Sequence, residues 1–533
     1  MRTHLFLLAV FACSFPVLAA NSAVSAKACV SLKQLTIPDG AITLAETVAA
    51  GTFTPPHLKP EEKTPHLYSA APAFCRVMAT LRPTADSDIK LEVWMPLQGW
   101  NGRFRGLGNG GFAGYIAYPG LAAAVTQGYA AASTDTGHST QNADWALGHP
   151  EKIVDYGYRA VHVTTVDAKA IIKAFYGEDA KRSYFASCSN GGRQALMEAQ
   201  RYPADYDGII AGAPANAWVP MLTGGLKFLQ ATDGPGYIPA SKVPAIDKAV
   251  LAACDAQDGV TDGVLNDPRQ CHFDPATLLC KGKDSDACLT APQVDSLKTI
   301  YAGAHDASGK QIFPGLLPGA EEGRGGWATW VTGSEEGKSA GTFFVTGYFK
   351  NMVYADPAWN FRTANIDDAL NLAYQKTGDA LDAINPDLKL FLSHGKLILY
   401  HGWNDPGISP LNTVHYYNSV VSAIGNQNAE QSLRLYMIPG MQHCGGGPGA
   451  TAFGQDESAP RSDAQHDIFS ALVQWVEDGK APSTLTATKF STDDPETAHP
   501  TVEMTRPLCS YPQEAKYNGS GNKNAATSFS CTK

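Results

Sequence analysis

A serine between small residues is the first feature of this chain that can do chemistry. The stretch from Ser187 to Gly192 follows the apolar run 184–186 and precedes the helix-forming residues 193–199. An apolar strand, a sharp turn and a helix form a nucleophile elbow, which exposes a serine hydroxyl to a base. Ser189 is therefore the candidate nucleophile. Because Ser187 stands where the motif usually has its first glycine, an ordinary strand-to-helix turn is the alternative interpretation of this stretch alone.

Two apolar runs much later in the chain end in the partners that a serine nucleophile needs. Residues 396–400 lead to Asp405, and residues 433–438 lead to His443. A serine hydroxyl is a weak nucleophile at neutral pH, so it needs a histidine base that a carboxylate orients. Ser189, Asp405 and His443 occur in the chain order of an α/β-hydrolase triad.

The candidate nucleophile and the candidate base each have a cysteine beside them, Cys188 and Cys444. A disulfide holds its two Cα atoms about 5.5 Å apart. A bond between these cysteines would therefore bring Ser189 and His443 into neighbouring positions. The sequence predicts a triad assembled around a disulfide.

The cysteine–serine pair, the aspartate and the histidine–cysteine pair resemble the CS-D-HC signature of the tannase and feruloyl esterase family, which includes a bacterial hydrolase of mono(hydroxyethyl) terephthalate. The similarity runs over nearly the whole mature chain, including the tail 506–512, and is weakest in the middle. It implies an α/β fold, with an α/β-hydrolase core and a large inserted lid. The core is expected at residues 27–215 and 391–533, and the lid at residues 216–390.

The size and charge of the chain limit its organisation and its partners. With 533 residues it exceeds the usual size of one hydrophobic core, which agrees with a core and an insertion. The formal charge is -10, and there is no long run of Lys or Arg. A nucleic-acid partner is therefore not expected.

The N-terminus has the pattern of a secretory signal. A basic start, the apolar run 5–12 and a small-residue end predict a signal peptide over residues 1–26. A signal anchor and lipidation at Cys13 are the alternatives. No later stretch is long and apolar enough to span a membrane. We therefore expect a secreted or periplasmic protein.

Export makes the cysteines candidates for disulfides. Of eleven cysteines, the removal of Cys13 with the signal leaves an even set. Sequence alone does not determine the pairing. The family resemblance implies five bridges: Cys29 with Cys75, Cys188 with Cys444, Cys254 with Cys271, Cys280 with Cys288, and Cys509 with Cys531.

A glycine-rich segment at residues 105–114 lies where an α/β-hydrolase places a backbone N–H of its oxyanion hole. Gly110 and Gly111 are the candidates, together with the N–H of Asn190 after the nucleophile. A flexible surface turn is the alternative. The glycines lack the order of a dinucleotide loop, so no organic cofactor is expected.

Three carboxylates occur in one short loop, at Asp255, Asp258 and Asp262. They repel one another unless a hard cation such as Ca²⁺ lies among them, although solvated Asp-Gly turns have the same composition. The family resemblance implies a structural Ca²⁺ in the lid. Its ligands would be these three side chains and the carbonyls of Val260 and Val264.

The lid segment 342–354 is dense in aromatic residues, which would suit an aromatic acyl group. Phe344, Tyr348 and Tyr354 are the candidate pocket residues. His401 either lines the pocket or is a hydrogen-bonded scaffold histidine.

Periodicity also predicts the elements around these residues. We expect an irregular leader over residues 28–72, an edge hairpin over 75–81 and 89–95, strands at 129–133 and 208–212, and an irregular tail from residue 507. Helices are expected at residues 121–127, 158–176, 411–423 and 464–476.

The resulting hypothesis is a secreted serine esterase that cleaves esters of aromatic acids through an acyl-enzyme. The resemblance favours feruloyl and other hydroxycinnamoyl esters, either free or attached to plant polysaccharide or polyphenol. Galloyl esters are the first alternative, and mono(hydroxyethyl) terephthalate is the second. A non-catalytic binding module of the same fold is the alternative from another class, but such a module has no need to keep all three triad residues.

Overall fold

The computed structural model describes residues 26–56, 65–455, 461–492 and 500–533. The predicted signal peptide lies outside these residues, apart from position 26. A nine-stranded sheet forms the centre of the molecule, in the order β1-β2-β3-β5-β4-β6-β7-β10-β11. Three further pairs, β8 with β9, β12 with β13 and β14 with β15, form small two-stranded sheets. The strands of all four sheets are β1 (Gly40–Val48), β2 (Phe74–Leu81), β3 (Ile89–Pro96), β4 (Arg103–Leu107), β5 (Ala130–Thr134), β6 (Arg182–Cys188), β7 (Gly208–Gly212), β8 (Ala304–His305), β9 (Gln311–Phe313), β10 (Lys396–Gly402), β11 (Leu433–Ile438), β12 (Thr484–Phe490), β13 (Val502–Cys509), β14 (Glu514–Tyr517) and β15 (Phe529–Thr532).

The helices cover both faces of this sheet and fill the insertion. They are α1 (Ala26–Ser31), α2 (His66–Ser69), α3 (Tyr118–Thr126), α4 (Pro150–Val154), α5 (Ala160–Tyr176), α6 (Asn190–Arg201), α7 (Trp218–Ala231), α8 (Val243–Cys254), α9 (Ala291–Ala302), α10 (Trp327–Trp330), α11 (Ala340–Tyr348), α12 (Ile366–Ala373), α13 (Asp379–Leu381), α14 (Lys389–Leu392), α15 (Pro410–Ile424), α16 (Asn426–Ser432) and α17 (Ile468–Asp478).

The sheet is antiparallel at one end and parallel where the candidate residues lie. β1, β2, β3 and β5 pair antiparallel, whereas β5, β4, β6, β7, β10 and β11 pair parallel. Helices α5, α6 and α15 pack on one face, and α3 and α17 pack on the other. Parallel strands that are covered on both faces need apolar side chains throughout, and every residue of β7 is buried. The α/β-hydrolase prediction is confirmed.

Two irregular segments that the sequence predicted are in fact strands. The leader contains β1, which pairs with β2 and forms the outer edge, so the predicted hairpin lies one strand further in. The tail contains β13, which pairs with β12, and the ribbon of β14 and β15. Both predictions were wrong because edge and tail strands are only partly buried, and their sequences therefore alternate weakly.

A long insertion separates two neighbouring strands of the sheet. β7 pairs directly with β10, although residues 213–395 lie between them in the sequence. The helices of this insertion form two apolar clusters, of which one also includes Phe112 and Tyr156 of the core. The insertion therefore packs against the sheet edge that carries the candidate residues. Its boundaries at residues 216 and 390 stay a prediction.

The five disulfides that the family resemblance implies are present in the structure. Cys29–Cys75 holds α1 against β2, and Cys509–Cys531 joins β13 to β15. Within the described ranges, no helix has the length and the apolar character that a bilayer crossing requires.

Candidate active site

The turn between β6 and α6 is a strained elbow. Ser189 has φ 64° and ψ -125°, a conformation that L-residues rarely adopt, and its N–H donates to the carbonyl of Gly212 at 2.9 Å. Strain of this kind costs about 1–3 kcal/mol, and it persists only where the surrounding structure imposes it. The elbow projects the Ser189 hydroxyl beyond the carboxyl end of the sheet.

The glycines of the elbow explain why a serine is tolerated in place of the usual first glycine. A Cβ on Gly191 would lie 1.9 Å from the hydroxyl oxygen of Ser187, and a Cβ on Gly192 would lie 2.3 Å from the carbonyl oxygen of Gly212. The space that a glycine at 187 would leave is therefore filled by the Ser187 side chain. The altered motif still forms the elbow.

The three predicted triad residues meet in space. His443 Nε2 lies 2.9 Å from Ser189 Oγ, and His443 Nδ1 lies 2.7 Å from Asp405 Oδ2. Asp405 follows β10, and His443 follows β11, two neighbouring parallel strands. Parallel strands present their carboxyl ends at one edge, so the order of the sheet brings these side chains together.

The carboxylate of Asp405 is buried but well supported. Its Oδ1 accepts hydrogen bonds from the N–H groups of Gly407 (2.8 Å) and Ile408 (3.0 Å). Burial opposes its ionisation, but the charge of His443 and the hydrogen bonds from His401 and His443 outweigh it and hold the pKa of Asp405 below its usual range. Asp405 is therefore an anion that can orient His443.

His401 does not line the cavity at Ser189, so the prediction that it lines the pocket was wrong. Its side chain is fully buried, and its Nε2 lies 3.1 Å from Asp405 Oδ2. Its Nδ1 contacts the hydroxyl of Thr413 at 2.7 Å. His401 belongs to β10, and it contacts the same carboxylate oxygen of Asp405 as His443 does.

The two glycines of the predicted oxyanion loop have different surroundings. The N–H of Gly110 donates to the Tyr115 hydroxyl at 2.7 Å, so it is not directed at Ser189. Gly111 lines the cavity together with Ser189 and Asn190. Asn190 is the first residue of α6, where an N–H has no carbonyl within its own helix. The geometry therefore favours Gly111 over Gly110.

An apolar cavity opens on Ser189 and His443. Its walls come from the insertion and from the loop after Asp405, and they include Trp218, Leu222, Phe313, Trp330, Phe344 and Ile408. The Trp330 ring meets the His443 ring edge to face, with centroids 4.5 Å apart, and stacks with Phe344 at 6.0 Å. The site is thus suited to a flat apolar group next to a nucleophilic hydroxyl.

Of the three aromatic residues predicted for the pocket, only Phe344 lines this cavity. Tyr348 is fully buried and bonds to the Thr377 hydroxyl at 2.7 Å, and Tyr354 packs on Phe349 and Trp359. The predictions for Tyr348 and Tyr354 were wrong because helical spacing does not reveal which turn is covered by neighbouring elements.

Sequence reasoning missed Trp218 and Trp330. The closely spaced Trp327 and Trp330 could have indicated a cavity wall, since tryptophan is rare. Trp330 lines the cavity, whereas Trp327 is buried within the insertion, and only the packing distinguishes the two.

A model of the protein family described as tannase and feruloyl esterase matches residues 75–532 of the chain. The chain belongs to the tannase and feruloyl esterase family. It is therefore a carboxylic ester hydrolase, and the expectation from the CS-D-HC signature is confirmed.

Individual relatives support this membership over almost the full length. An uncharacterized esterase of Xanthomonas campestris pv. campestris is 41% identical and covers 96% of this chain and 92% of its own. A probable feruloyl esterase B-2 of Aspergillus terreus is 31% identical, with 99% of each chain covered. The crystal structure of feruloyl esterase B from Aspergillus oryzae superposes with a TM-score of 0.86 at 28% identity, covering 95% of this chain and 100% of that one.

The disulfide beside the esterase site is built into the elbow. Cys188 ends β6 and Cys444 follows His443, and their Cα atoms are 6.0 Å apart. Cys444 has φ 61°, an unfavourable conformation for a residue with a side chain. The bond therefore holds the histidine loop directly against the nucleophile turn.

We expect the Cys188→Ala/Cys444→Ala double variant to lose about 5 kcal/mol of stability, since the bond closes a very long loop. We also expect kcat to fall at least about tenfold in protein that is still folded, because a small displacement of reacting groups is costly. Thermal unfolding and ester turnover below both melting temperatures measure these effects. Cys280→Ala/Cys288→Ala, which opens a bridge with a sequence separation of only 8, is the control. Full turnover in the first variant would contradict a positioning role.

The acidic loop of the esterase has the donors of a hard-cation site. Asp258, Val260, Asp262 and Val264 line one small cavity, with Asn266 and Arg506. Asp255 lies beside it, where its carboxylate accepts the N–H of Gly263 at 3.1 Å, and Asp262 pairs with Arg506 at 2.5 Å.

The carboxylates of this loop repel one another, although Arg506 already neutralises that of Asp262. Burial raises the pKa of Asp258, the N–H groups of Val260 and Asn266 oppose the rise, and the carboxylates of Asp262 and Asp255 add to it. A cation in the cavity would relieve this repulsion. Among the described residues, two groups of side chains bring their ligand atoms close together, Cys280, Asp284 and Cys288, and His162, Glu198 and Asp205, and the acidic loop belongs to neither. The two cysteines of the first group are bonded to each other.

Proposed function

We propose that this esterase hydrolyses esters of aromatic carboxylic acids, of the feruloyl and hydroxycinnamoyl type, through an acyl-enzyme on Ser189. The observation that carries the proposal is an aromatic-walled cavity that ends at a hydrogen-bonded serine, histidine and carboxylate. The names of the relatives from Aspergillus terreus and Aspergillus oryzae support the acyl group.

In the first half of the reaction, Ser189 Oγ attacks the ester carbonyl carbon while His443 Nε2 takes the hydroxyl proton. Asp405 holds the Nδ1–H of His443 and stabilises the imidazolium that forms. The carbonyl oxygen becomes an oxyanion and receives hydrogen bonds from the N–H groups of Gly111 and Asn190. His443 then returns its proton to the departing alcohol, which leaves the aromatic acyl group on Ser189.

In the second half, water replaces the alcohol. His443 takes a proton from the water as it attacks the acyl carbon, and the same N–H groups stabilise the second oxyanion. The tetrahedral intermediate collapses, the proton passes to Ser189 Oγ, and the aromatic acid is released. Trp330 covers one side of His443, which limits the access of bulk water to the imidazole.

The ranking of acyl groups is tested with methyl ferulate, methyl gallate and mono(hydroxyethyl) terephthalate. We expect kcat/KM to be at least about tenfold higher for the ferulate than for the other two, since each poorly accommodated group costs about 1–3 kcal/mol. Hydrolysis by the Ser189→Ala variant is subtracted as background.

Each other ranking identifies one of the alternatives. Preference for methyl gallate would replace the feruloyl proposal with a galloyl esterase. Preference for mono(hydroxyethyl) terephthalate would replace it with a hydrolase of terephthalate monoesters. If wild type cleaves none of the three, a serine-directed phosphonate decides. Labelling of Ser189 indicates another acyl group, and no labelling favours the binding module.

We infer that the acidic loop binds a structural Ca²⁺ through the carboxylates of Asp258 and Asp262 and the carbonyls of Val260 and Val264. The sequence predicted Asp255 as a third carboxylate ligand, but we place it outside the ligand set, because its oxygens accept the N–H groups of Asp262 and Gly263 and it does not line the cavity. Arg506 of β13 pairs with Asp262 and thereby already joins the acidic loop to β13, so the cation would order the loop itself. The loop lies in the insertion, so its role is structural.

Removal of calcium is expected to lower the melting temperature by several degrees. A ligand present at about 100 times its Kd stabilises the folded state by about 2.7 kcal/mol. Unfolding in Ca²⁺ and in chelator measures the shift, and Asp258→Asn should abolish it. The control is Asp306→Asn. Asp306 accepts the N–H of Ser308 at 2.9 Å, just as Asp258 accepts the N–H of Val260 at 2.9 Å, so both variants change the same kind of hydrogen bond. Equal melting temperatures in Ca²⁺ and chelator would contradict the proposal.

We also propose that the enzyme is secreted or periplasmic after removal of residues 1–26. The disulfides support an oxidising compartment. In such a compartment, the aromatic ester is either free or attached to plant polysaccharide or polyphenol.

A further inference from the structure

Buried polar side chains join the two backbone segments of the proposed oxyanion hole. The Asn190 side-chain amide donates to the carbonyl of Asn109 at 3.1 Å, and the side-chain carbonyl of Gln194 accepts the Asn109 N–H at 2.9 Å. Asn190 and Gln194 lie on the first turns of α6, and Asn109 directly precedes the glycines of the loop. Helix and loop are therefore linked by hydrogen bonds to both backbone polar groups of Asn109.

Arg193 lies at the centre of this arrangement, and its side chain is fully buried. Its Nε donates to Asn190 Oδ1 at 2.9 Å, and its two terminal nitrogens donate to the carbonyls of Gly157 (2.7 Å) and Tyr156 (3.0 Å). The Tyr156 hydroxyl in turn donates to the carbonyl of Gly111 at 2.9 Å. A planar guanidinium held in three directions therefore connects both oxyanion donors.

The three acceptors of Arg193 are neutral, so its charge is not consumed by an ion pair with them. Burial raises the pKa of Asp382 to about 7, although the N–H of Val219, which Asp382 accepts at 2.9 Å, and the Arg193 charge oppose this rise. The guanidinium lies within one turn of the N-terminus of α6, where the helix itself has a positive potential. Both potentials favour a negative charge that develops next to Asn190.

We propose that Arg193, Tyr156, Gln194 and the Asn190 side chain are positioning residues for ester hydrolysis. They hold the N–H groups of Gly111 and Asn190 at a fixed separation, and the Arg193 charge stabilises the oxyanion. Donors arranged in advance lower the barrier because they need no reorganisation during the reaction. The proposal rests on the proposed function, since it takes Ser189 as the nucleophile.

The conservative test is Tyr156→Phe, which removes only the hydroxyl on the Gly111 carbonyl. With p-nitrophenyl acetate, we expect kcat to fall about tenfold, less than the 10²–10³ of a lost donor, with KM within twofold. The affinity for benzeneboronic acid, which forms a tetrahedral adduct on a serine, should fall by the same factor. The control is Tyr436→Phe, since Tyr436 is also fully buried and donates to a backbone carbonyl, that of Pro482, at 2.8 Å.

Arg193→Met and Arg193→Lys separate the charge from the geometry. We expect the Met variant to lose about 100-fold in kcat, and the Lys variant to recover about tenfold of that loss. If neither Arg193 variant folds, the comparison of Tyr156→Phe with Tyr436→Phe tests the proposal alone. Wild-type kcat and boronate affinity in Tyr156→Phe, or an equal loss of kcat in Tyr436→Phe, would overturn the proposal.

The failure of this proposal is distinguishable from failure of the proposed function. Because p-nitrophenyl acetate has no aromatic acyl group, an incorrect acyl specificity leaves the comparison intact. Turnover that survives in Ser189→Ala would overturn the nucleophile, and the positioning roles with it. If turnover is lost in Ser189→Ala but kcat and boronate affinity are unchanged in Tyr156→Phe, only the positioning roles are overturned.

Discussion

Replacement of Ser189 by alanine is expected to lower kcat/KM by about 10⁵-fold or more for whichever ester the enzyme prefers. Alanine keeps the size of the elbow but removes the atom that attacks the carbonyl, and with it the acyl-enzyme. His443 and the oxyanion donors remain, so the variant keeps only the small residual catalysis of an assembled site without a nucleophile. Initial rates with purified protein measure the loss.

The same change two residues earlier is the control. Ser187 has a hydroxyl in the same strand end, packed against Gly191, and Ser187→Ala should keep kcat within about threefold of wild type. A phosphonate probe should label wild type and Ser187→Ala at Ser189. A loss below 100-fold in Ser189→Ala, or labelling at another serine, would contradict the assignment of the nucleophile.

Asp405→Asn is expected to lower kcat by about 10⁴-fold while the protein stays folded. The carboxylate accepts the Nδ1–H of His443, whereas an amide placed there can donate and thereby stabilise the wrong imidazole tautomer. His401 contacts the same oxygen at 3.1 Å, so the substitution disturbs two histidines at once. Turnover across pH measures the effect, since a changed tautomer lowers kcat at every pH.

A second buried aspartate provides the matched control. Asp135 Oδ1 accepts two backbone N–H groups, those of Lys90 (2.9 Å) and Gly137 (2.8 Å), as Asp405 Oδ1 does in its own loop. Asp135→Asn should therefore lower the melting temperature without a comparable loss of kcat. A loss within tenfold in Asp405→Asn would mean that another carboxylate orients His443.

Local sequence was sufficient for the centre of the sheet. The strand, turn and helix around Ser189 are contiguous, and residues 183–200 are all buried or half-buried, so their apolar pattern and their glycines predict the elbow directly. The strands before Asp405 and His443 are continuous apolar runs for the same reason. Edge strand β1 was not predicted, since its formation depends on pairing with β2 rather than on its own pattern.

The walls of the site could not be predicted in the same way. Phe344 and Tyr348 lie one turn apart on α11, yet Phe344 faces the cavity and Tyr348 bonds to Thr377 in the interior. His401 and Asp405 are four residues apart, and only Asp405 reaches His443. Spacing places such pairs on one side of an element, but the neighbouring elements decide which member is covered.

The sequence by itself determined the nucleophile, the base and the acid as candidates, because each follows an apolar strand and two of them adjoin cysteines that can bond. It also determined the acidic loop and the family. Only the tertiary structure decided that Gly111 lines the cavity at Ser189 while the Gly110 N–H bonds to Tyr115, that His401 contacts the Asp405 carboxylate, and that Trp330 packs against His443. These contacts join residues far apart in the chain, and their geometry depends on packing that no local pattern encodes.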